Sequence, residues 1–245
     1  MSPSTFHVPE LSATDATVLV TGPEARHAIT VQRIGSGEQI DLVNGQGLRA
    51  RTTVVAVDGA DSMTCAVDRI VQEPRPSPAI TVVQALIKDG ELAVDLLTQA
   101  GVDRIVPWAA QRSVVHWRGD RAAKAHAKWA NAARTAAKQS RRAWWPDVAS
   151  LATTAEVNAL INGADLALVC DADGAESITA LGLPDQGHVV LVIGPEGGCA
   201  PDELVGGHLV RLGPGVWRSA AAGLAAVVAL LAGSDRWTVG GLGSA

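Results

Sequence analysis

His188-Val189-Val190-Leu191-Val192-Ile193-Gly194-Pro195-Glu196-Gly197-Gly198-Cys199-Ala200-Pro201 is the stretch whose reading decides the class of this chain. Val189 to Ile193 is a continuous apolar run rich in β-branched residues, which predicts a strand buried on both faces of a parallel sheet. Gly194-Pro195-Glu196-Gly197-Gly198 ends that strand. Pro201-Asp202-Glu203-Leu204 then predicts a helix start, with proline at the first helical position and acids in the first turn. A buried strand, a glycine loop and a helix start together describe a ligand site at the carboxyl end of a parallel sheet. Gly194, Gly197 and Gly198 let the backbone approach a ligand closely. Neither GxxxxGK[ST] nor GxGxxG is present, so the loop lacks the phosphate-cradle patterns. The charge of Glu196 would also repel a phosphate. A cationic or zwitterionic ligand tolerates that charge, and the sulfonium and amine of S-adenosylmethionine (SAM) qualify.

Composition bounds what surrounds this loop. The 245 residues suffice for one or two domains with a real core. With no Tyr and one Phe, that core has to come from Val, Leu, Ala and Ile. The three cysteines, Cys65, Cys170 and Cys199, are widely spaced and form no CxxC or His-rich pattern. They read as reduced cytosolic thiols with no metal site. The opening MSPSTFHVPE lacks the basic and apolar regions of a signal peptide. The Ala/Gly-rich run from Ser219 to Ser234 falls short of the roughly 20 residues that a membrane span needs. A soluble cytoplasmic protein is expected.

Charge is distributed unevenly. The net charge is −5, yet Arg112 to Arg142 holds nine basic residues and one acid, Asp120. An acidic protein with one concentrated basic segment suggests a local surface for a polyanion.

Residues 5–70 read as a small β domain with β-rich runs at Thr17–Val20, Gln39–Val43, Leu48–Val57 and Met63–Val71. Asn44-Gly45 supplies a turn between two of them. Gly22-Pro23-Glu24 starts a short helix through Arg26, His27 and Ala28. Several short strands with glycine turns suggest a small barrel, either a packing module or an RNA contact through Arg26, His27 and Arg33.

Glu73-Pro74-Arg75-Pro76-Ser77-Pro78 is a stiff linker, because its prolines cannot continue a central strand or a helix. It divides the chain into domains 1–74 and 75–245. Beyond it, Ile80–Ile87, Val102–Pro107, Ser113–Trp117, Leu166–Cys170, Val189–Ile193 and Leu209–Leu212 read as strands. Glu91–Ala100 and Ser219–Leu231 read as helices. Alternation of this kind implies an α/β domain with a mainly parallel sheet.

Arg121 to Arg142 predicts one helix with two unlike faces. At 100° per residue, Lys124, Lys128, Arg134, Lys138, Arg141 and Arg142 fall between about 200° and 360°. The opposite arc holds Trp129 and seven alanines, with only His126 and Ser140 polar. The basic face carries no acids to form i,i+4 pairs, so it repels itself unless an anion approaches. RNA is the expected partner.

These residues also carry a resemblance. Ile193 to Gly198, together with Leu212-Gly213-Pro214-Gly215-Val216-Trp217-Arg218 and the Ala-rich helix after it, resemble the two C-terminal signatures of the 16S rRNA (uracil-N3)-methyltransferases. That family belongs to the SPOUT class. Ala100 to Pro107, Arg112-Ser113-Val114-Val115, and Trp129 through Gln139-Ser140-Arg141-Arg142 are similar to its middle motifs, and Arg26-His27 to a motif of its N-terminal domain. The resemblance implies a small PUA-like β-barrel that binds RNA, followed by a trefoil-knotted α/β domain with a mainly parallel sheet that forms a homodimer. It implies SAM as cofactor, 16S rRNA or the small ribosomal subunit as partner, and methylation of uracil N3. Gly194, Pro195, Glu196, Gly197, Gly198, Leu212, Gly213, Val216, Trp217 and Arg218 would form the SAM pocket, with Val169, Cys170 and Asp171 as a third wall. The basic face of Lys124, Lys128, Arg134, Lys138, Arg141 and Arg142, with Arg112, Gln139 and Ser140, would hold RNA, and Arg26 and His27 would add to it from the first domain.

The chain also departs from that pattern. Trp217-Arg218-Ser219-Ala220-Ala221-Ala222 stands where the family often has Leu-Arg-Thr-Glu-Thr-Ala. Arg141 replaces a common Gly, and Asp95-Leu96 a Gln-Lys. For the chemistry, N3 must lose its proton, leaving negative charge on O2 and O4. Arg218 is the first candidate to stabilise that charge, with Arg112 and Arg142 next, and Ser219 a possible donor or helix N-cap. Three other readings stay open: a SPOUT enzyme acting on another base or a ribose 2′-oxygen, a silent RNA-binding assembly protein, and an unrelated nucleotide-binding enzyme.

Overall fold

A computed structural model describes residues 3–238. The chain forms two compact units: one runs to Arg75 and takes in Ala137–Trp145, and the other holds Pro76–Ala136 and the chain from Pro146 on. In the first, β1 (Thr5–His7), β2 (Thr17–Thr21), β3 (Gln39–Val43), β4 (Leu48–Asp58) and β5 (Ser62–Gln72) make one sheet in the order β1-β3-β4-β5-β2. Only β1 and β3 pair in parallel. Register shifts at Arg51/Thr52 and Val54/Ala56 bend and twist the long strands. The sheet therefore curls into a half-barrel around Phe6, Ile40, Leu42 and Met63. Helix α1 (Gly22–Arg26), with Pro23 in its first turn, continues into a wider turn over His27–Val31.

The linker prolines alone would leave Ala137–Trp145 with the second domain. Two tryptophans hold it to the first unit. Trp145 stacks on His7 at 4.0 Å between ring centroids. Its backbone N–H, like that of Gly47, joins the segment to the turn: Trp145 N donates to Gly45 O, and Gly47 N to Ala143 O. Gly47, at φ +92, is required here, since a Cβ would lie 2.3 Å from the Trp144 ring.

In the second unit, β6 (Ala79–Ala85), β7 (Arg104–Trp108), β8 (Asp147–Val148), β9 (Leu166–Cys170), β10 (Glu176–Ser177), β11 (His188–Ile193) and β12 (His208–Arg211) form one sheet. Its order is β10-β12-β9-β11-β6-β7-β8 and every adjacent pair is parallel. The chain leaves β9 for the edge at β10, returns to β11 on the other side of β9, and then slips β12 between β10 and β9. Ordinary connections avoid such a crossing, and it is the kind of threading that the resemblance to the SPOUT class leads one to expect. The other elements are α2 (Gly90–Gln99), α3 (Asp120–Gln139), whose last residues are grouped with the first unit, α4 (Thr154–Asn162), α5 (Ser219–Leu231) and α6 (Asp235–Thr238). Strand β11 is buried on both faces: Val189, Leu191 and Ile193 join one core cluster, Val190 and Val192 another.

Two expected elements are absent among the described residues. Ser113–Trp117 is not a strand, because Trp117 packs edge-on against Trp129 of α3, with centroids 5.2 Å apart, and the outer edge of β7 is taken by β8. No helix starts at Pro201. Asp202 has φ +61, a left-handed conformation that a helix cannot contain, and Glu203 turns back to accept a hydrogen bond from Ala200 N. Helix α4 is not among the elements expected from the sequence, although its capping box, Thr153 with Glu156, is fully formed.

Candidate active site

Three loops leave the carboxyl ends of neighbouring parallel strands β9, β11 and β12 and close around a pocket of about 330 Å³. Residues 170–173, 193–199 and most of 212–217 wall it, with Ser219 and Ala222 of α5 and the side chain of Arg112 completing it. Of the residues expected there, Cys170, Asp171, Gly194, Pro195, Glu196, Gly197, Gly198, Leu212, Gly213, Val216 and Trp217 all line it. Val169 does not: side chains alternate along β9, and Val169 goes into the core between the sheet and α4. Arg218 is also outside the lining. It is exposed, sits at the N-cap position of α5, and its guanidinium has no hydrogen bond or ion pair among the described residues.

The loop is held by groups whose partners lie far along the chain. Arg112 donates from Nη1 to the carbonyls of Gly197 (3.1 Å) and Cys199 (3.2 Å). Glu203 accepts from Gln111 N (2.5 Å) and Ala200 N (3.0 Å). The guanidinium and the carboxylate thus clamp residues 197–200 to the turn after β7. Ser219 is not an N-cap; its hydroxyl donates to Gly194 O at 2.6 Å. Glu203, two residues after Pro201, is visible in the sequence as an acid at a helix start, a pattern that conceals its role as a clamp.

The lining suits a cation. Asp171, Asp173 and Glu196 face it against one guanidinium, that of Arg112. Gly198, at φ +68, and Gly213, at φ +119, leave open backbone, since a Cβ on either would meet nothing within 4 Å. No histidine lines the pocket. Burial pushes the Cys170 thiol up to about 12, with Cys199 and Asp171 adding to the shift. Burial, Glu203 and Asp171 push Cys199 up to about 11, against the opposing pull of Arg112. Both thiols are therefore neutral at physiological pH and neither acts as a base there. Reaction of Cys199 with an aromatic disulfide reagent at neutral pH is expected to run about 10-fold slower than that of an ordinary cysteine. The thiolate fraction drops about 100-fold and the higher nucleophilicity restores part of it.

The expected RNA-binding residues divide between the units. In the second, Lys124, Lys128 and Arg134 project from α3 and are exposed, while Trp129 and Ala133 are buried. Lys128 lies 3.7 Å from Glu91, and Lys124 and Arg134 have no partner among the described residues. His126 gives its Nε2 to the carbonyls of Val148 and Ala149 and packs edge-on against Trp117. In the first unit, Lys138 is paired with Glu24. Arg26 is 3.9 Å from Asp61 with both exposed, a contact worth little in water. His27 is hydrogen bonded to Gln32. Gln139, Ser140 and Arg141 are exposed and Arg142 is half-buried. Arg33 and Arg141 both adopt left-handed φ, at +58 and +55. Arg141 thus keeps the conformation that a glycine would take, and its carbonyl accepts from Arg49 Nη2 at 2.7 Å.

Among the described residues no helix is long and apolar enough to cross a membrane, and no group of His, Cys, Asp and Glu could hold a metal ion.

The RNA methyltransferase domain family matches residues 73–231. The ribosomal RNA small subunit methyltransferase E of Mycobacterium tuberculosis (strain CDC 1551 / Oshkosh) is 39% identical over 243 residues, 95% of this chain and 92% of that protein. The protein of that name from Bacillus subtilis (strain 168) is 27% identical over 229 residues, 87% of this chain and 89% of that protein. The crystal structure of the Neisseria gonorrhoeae protein of that name, bound to S-adenosyl methionine, has a TM-score of 0.80 at 25% identity and covers 94% of this chain and 97% of that one. Extended over the sequence, the parallel sheet and the loops at its carboxyl end, these matches place the chain in the RNA methyltransferase family of the SPOUT class, among the ribosomal RNA small subunit methyltransferase E proteins.

Proposed function

We propose that this chain methylates N3 of a specific uridine of 16S rRNA in the small ribosomal subunit, with SAM as methyl donor, as a cytoplasmic homodimer. The observation that carries the reading is the acid-walled, glycine-floored pocket at the carboxyl end of the parallel sheet. Its carboxylates favour a cationic ligand and its open backbone gives room and hydrogen-bonding groups without side-chain bulk. SAM, when bound, supplies an electrophilic methyl group next to a positive sulfur. The protein's own residues do the rest. Gly194, Glu196, Gly197, Gly198, Leu212, Gly213, Val216 and Trp217 hold the cofactor, and Trp217 is itself held by donating its indole N–H to Leu212 O at 3.3 Å. Arg112 is largely occupied in fixing the loop, which leaves Arg218 as the cation free to favour negative charge on the uracil oxygens. Arg142, in the first unit, contributes to RNA binding with Gln139, Ser140 and Arg141. With no histidine and no thiolate in the pocket, the N3 proton leaves to solvent. The apolar side chain of Val216, which lines the pocket and is 87% exposed, is a surface that a second copy would cover.

The first unit and the exposed face of α3 bind the RNA. Changing Lys124, Lys128 and Arg134 together to Gln is expected to weaken RNA binding and to reduce the salt slope by up to about 0.7–0.9 for each phosphate no longer neutralised. SAM affinity should not change. Filter binding at several salt concentrations reads the slope, and an unchanged slope would make the face an ordinary solvated surface. Labelled methyl transfer from SAM to small ribosomal subunits tests the activity itself; incorporation is expected, and its absence with SAM bound would favour the silent assembly protein.

A further inference from the structure

We infer that Gln84, buried at the end of β6, is a positioning residue that sets the cofactor loop through Ser219. This rests on SAM being the ligand of the pocket. Gln84 has no exposed surface, and it lies beside Ile193 in the β6–β11 register, one residue before the loop. Its Nε2 donates to Ser219 Oγ at 3.1 Å, and Ser219 Oγ donates in turn to Gly194 O at 2.6 Å. Ser219 has a single proton. Because Gln84 presents N–H to the hydroxyl oxygen, that proton has to go to Gly194 O rather than back toward the amide. The result is a fixed peptide plane between Gly194 and Pro195, the first bond of the loop, already tight against Cys199: a Cβ on Gly194 would lie 3.0 Å from its Sγ. The same chain of bonds pins the N-terminus of α5, and with it the 212–217 loop, to the 194–198 loop.

A purely structural buried glutamine should have both ends of its amide satisfied. Here Oε1 is buried with no hydrogen-bond partner among the described residues. An unpaired buried carbonyl is costly, so Gln84 weakens the core in order to direct Ser219.

The experiment compares Gln84→Met, Ser219→Ala and the double variant by calorimetric titration with SAM and by the thermal midpoint of the ligand-free chain. Gln84→Met keeps the volume and removes both the donor and the unpaired carbonyl. It is expected to bind SAM about 10-fold more weakly, the effect of one hydrogen bond, with a midpoint unchanged or raised. Ser219→Ala should lose a similar factor, and the double variant no more than either single one, because both act through Gly194. SAM affinity in Gln84→Met equal to the parent's, additive losses, or affinity and midpoint falling together would each overturn the role of Gln84 while leaving SAM binding intact. A parent chain that binds no SAM would instead overturn the cofactor reading and this role with it.

Discussion

Gly197→Val is expected to leave the chain folded and to weaken SAM binding by up to ~100-fold. Gly197 does not need glycine for its own backbone. Its φ is not left-handed, and a Cβ there would meet only the Arg112 side chain, at 3.8 Å and 3.9 Å. The neighbouring Gly198, at φ +68, is the position of the loop whose backbone favours glycine. A branched side chain at 197 therefore strains little in the protein, but it adds bulk to a pocket that Gly197 lines. Overpacking a filled site costs about 1–3 kcal/mol, up to ~100-fold in affinity, and a rigid two-methyl branch sits at the upper end. Calorimetry with a thermal melt alongside checks both halves. Unchanged affinity in a folded variant would remove the 194–198 loop from the site.

Arg218→Lys is expected to slow methyl transfer at saturating SAM and RNA by more than it weakens SAM binding. Arg218 is exposed at the N-cap position of α5 and outside the pocket lining, so it contributes little to holding the cofactor. A lysine keeps the charge and loses the planar fork that pairs with two acceptors at once. Removing one such donor from an oxyanion site costs about 100-fold or more in rate. The pH profile of the single-turnover rate belongs to the same prediction. Cys199 and Cys170 lose their protons only near about 11 and about 12, and no histidine lines the pocket. The rate should therefore keep rising from neutrality through about pH 8, because the species that grows with pH is the ionised uracil. A plateau near the histidine value of about 6.5 would require a histidine base and exclude this route.

The pocket is legible in the sequence because its signals are local. The apolar run Val189–Ile193, the glycines after it and the Leu212–Arg218 turn each declare themselves within a few residues, and parallel pairing brings them together. What is not legible depends on distant partners. Nothing near Ser113–Trp117 says that Trp117 will be drawn to Trp129 on α3 instead of pairing as a strand. Pro201-Asp202-Glu203 carries helix-start chemistry, yet the Glu203 carboxylate finds Gln111 N, far back in the chain, and the turn closes differently. The grouping of Ala137–Trp145 with the first unit turns on Gly45 and Gly47 receiving two indole rings, a fit that no periodicity reports. Ser219 looks like a cap from its place before an alanine-rich helix. Its tie to Gly194 needs β6, β11 and α5 to be in place together. Helix α4 is a different kind of miss, since Thr153 and Glu156 stand at capping-box spacing in the sequence itself.

The pocket is proposed to direct methylation to a uracil nitrogen. The most direct test is to incubate the chain with SAM and small ribosomal subunits that lack the modification, and then to map the methylated nucleoside by mass spectrometry. A single 3-methyluridine per 16S rRNA is predicted, strongly reduced when Gly197→Val replaces the parent at SAM concentrations near the parent's Kd. A methyl group on a ribose 2′-oxygen or on another base would contradict the claim.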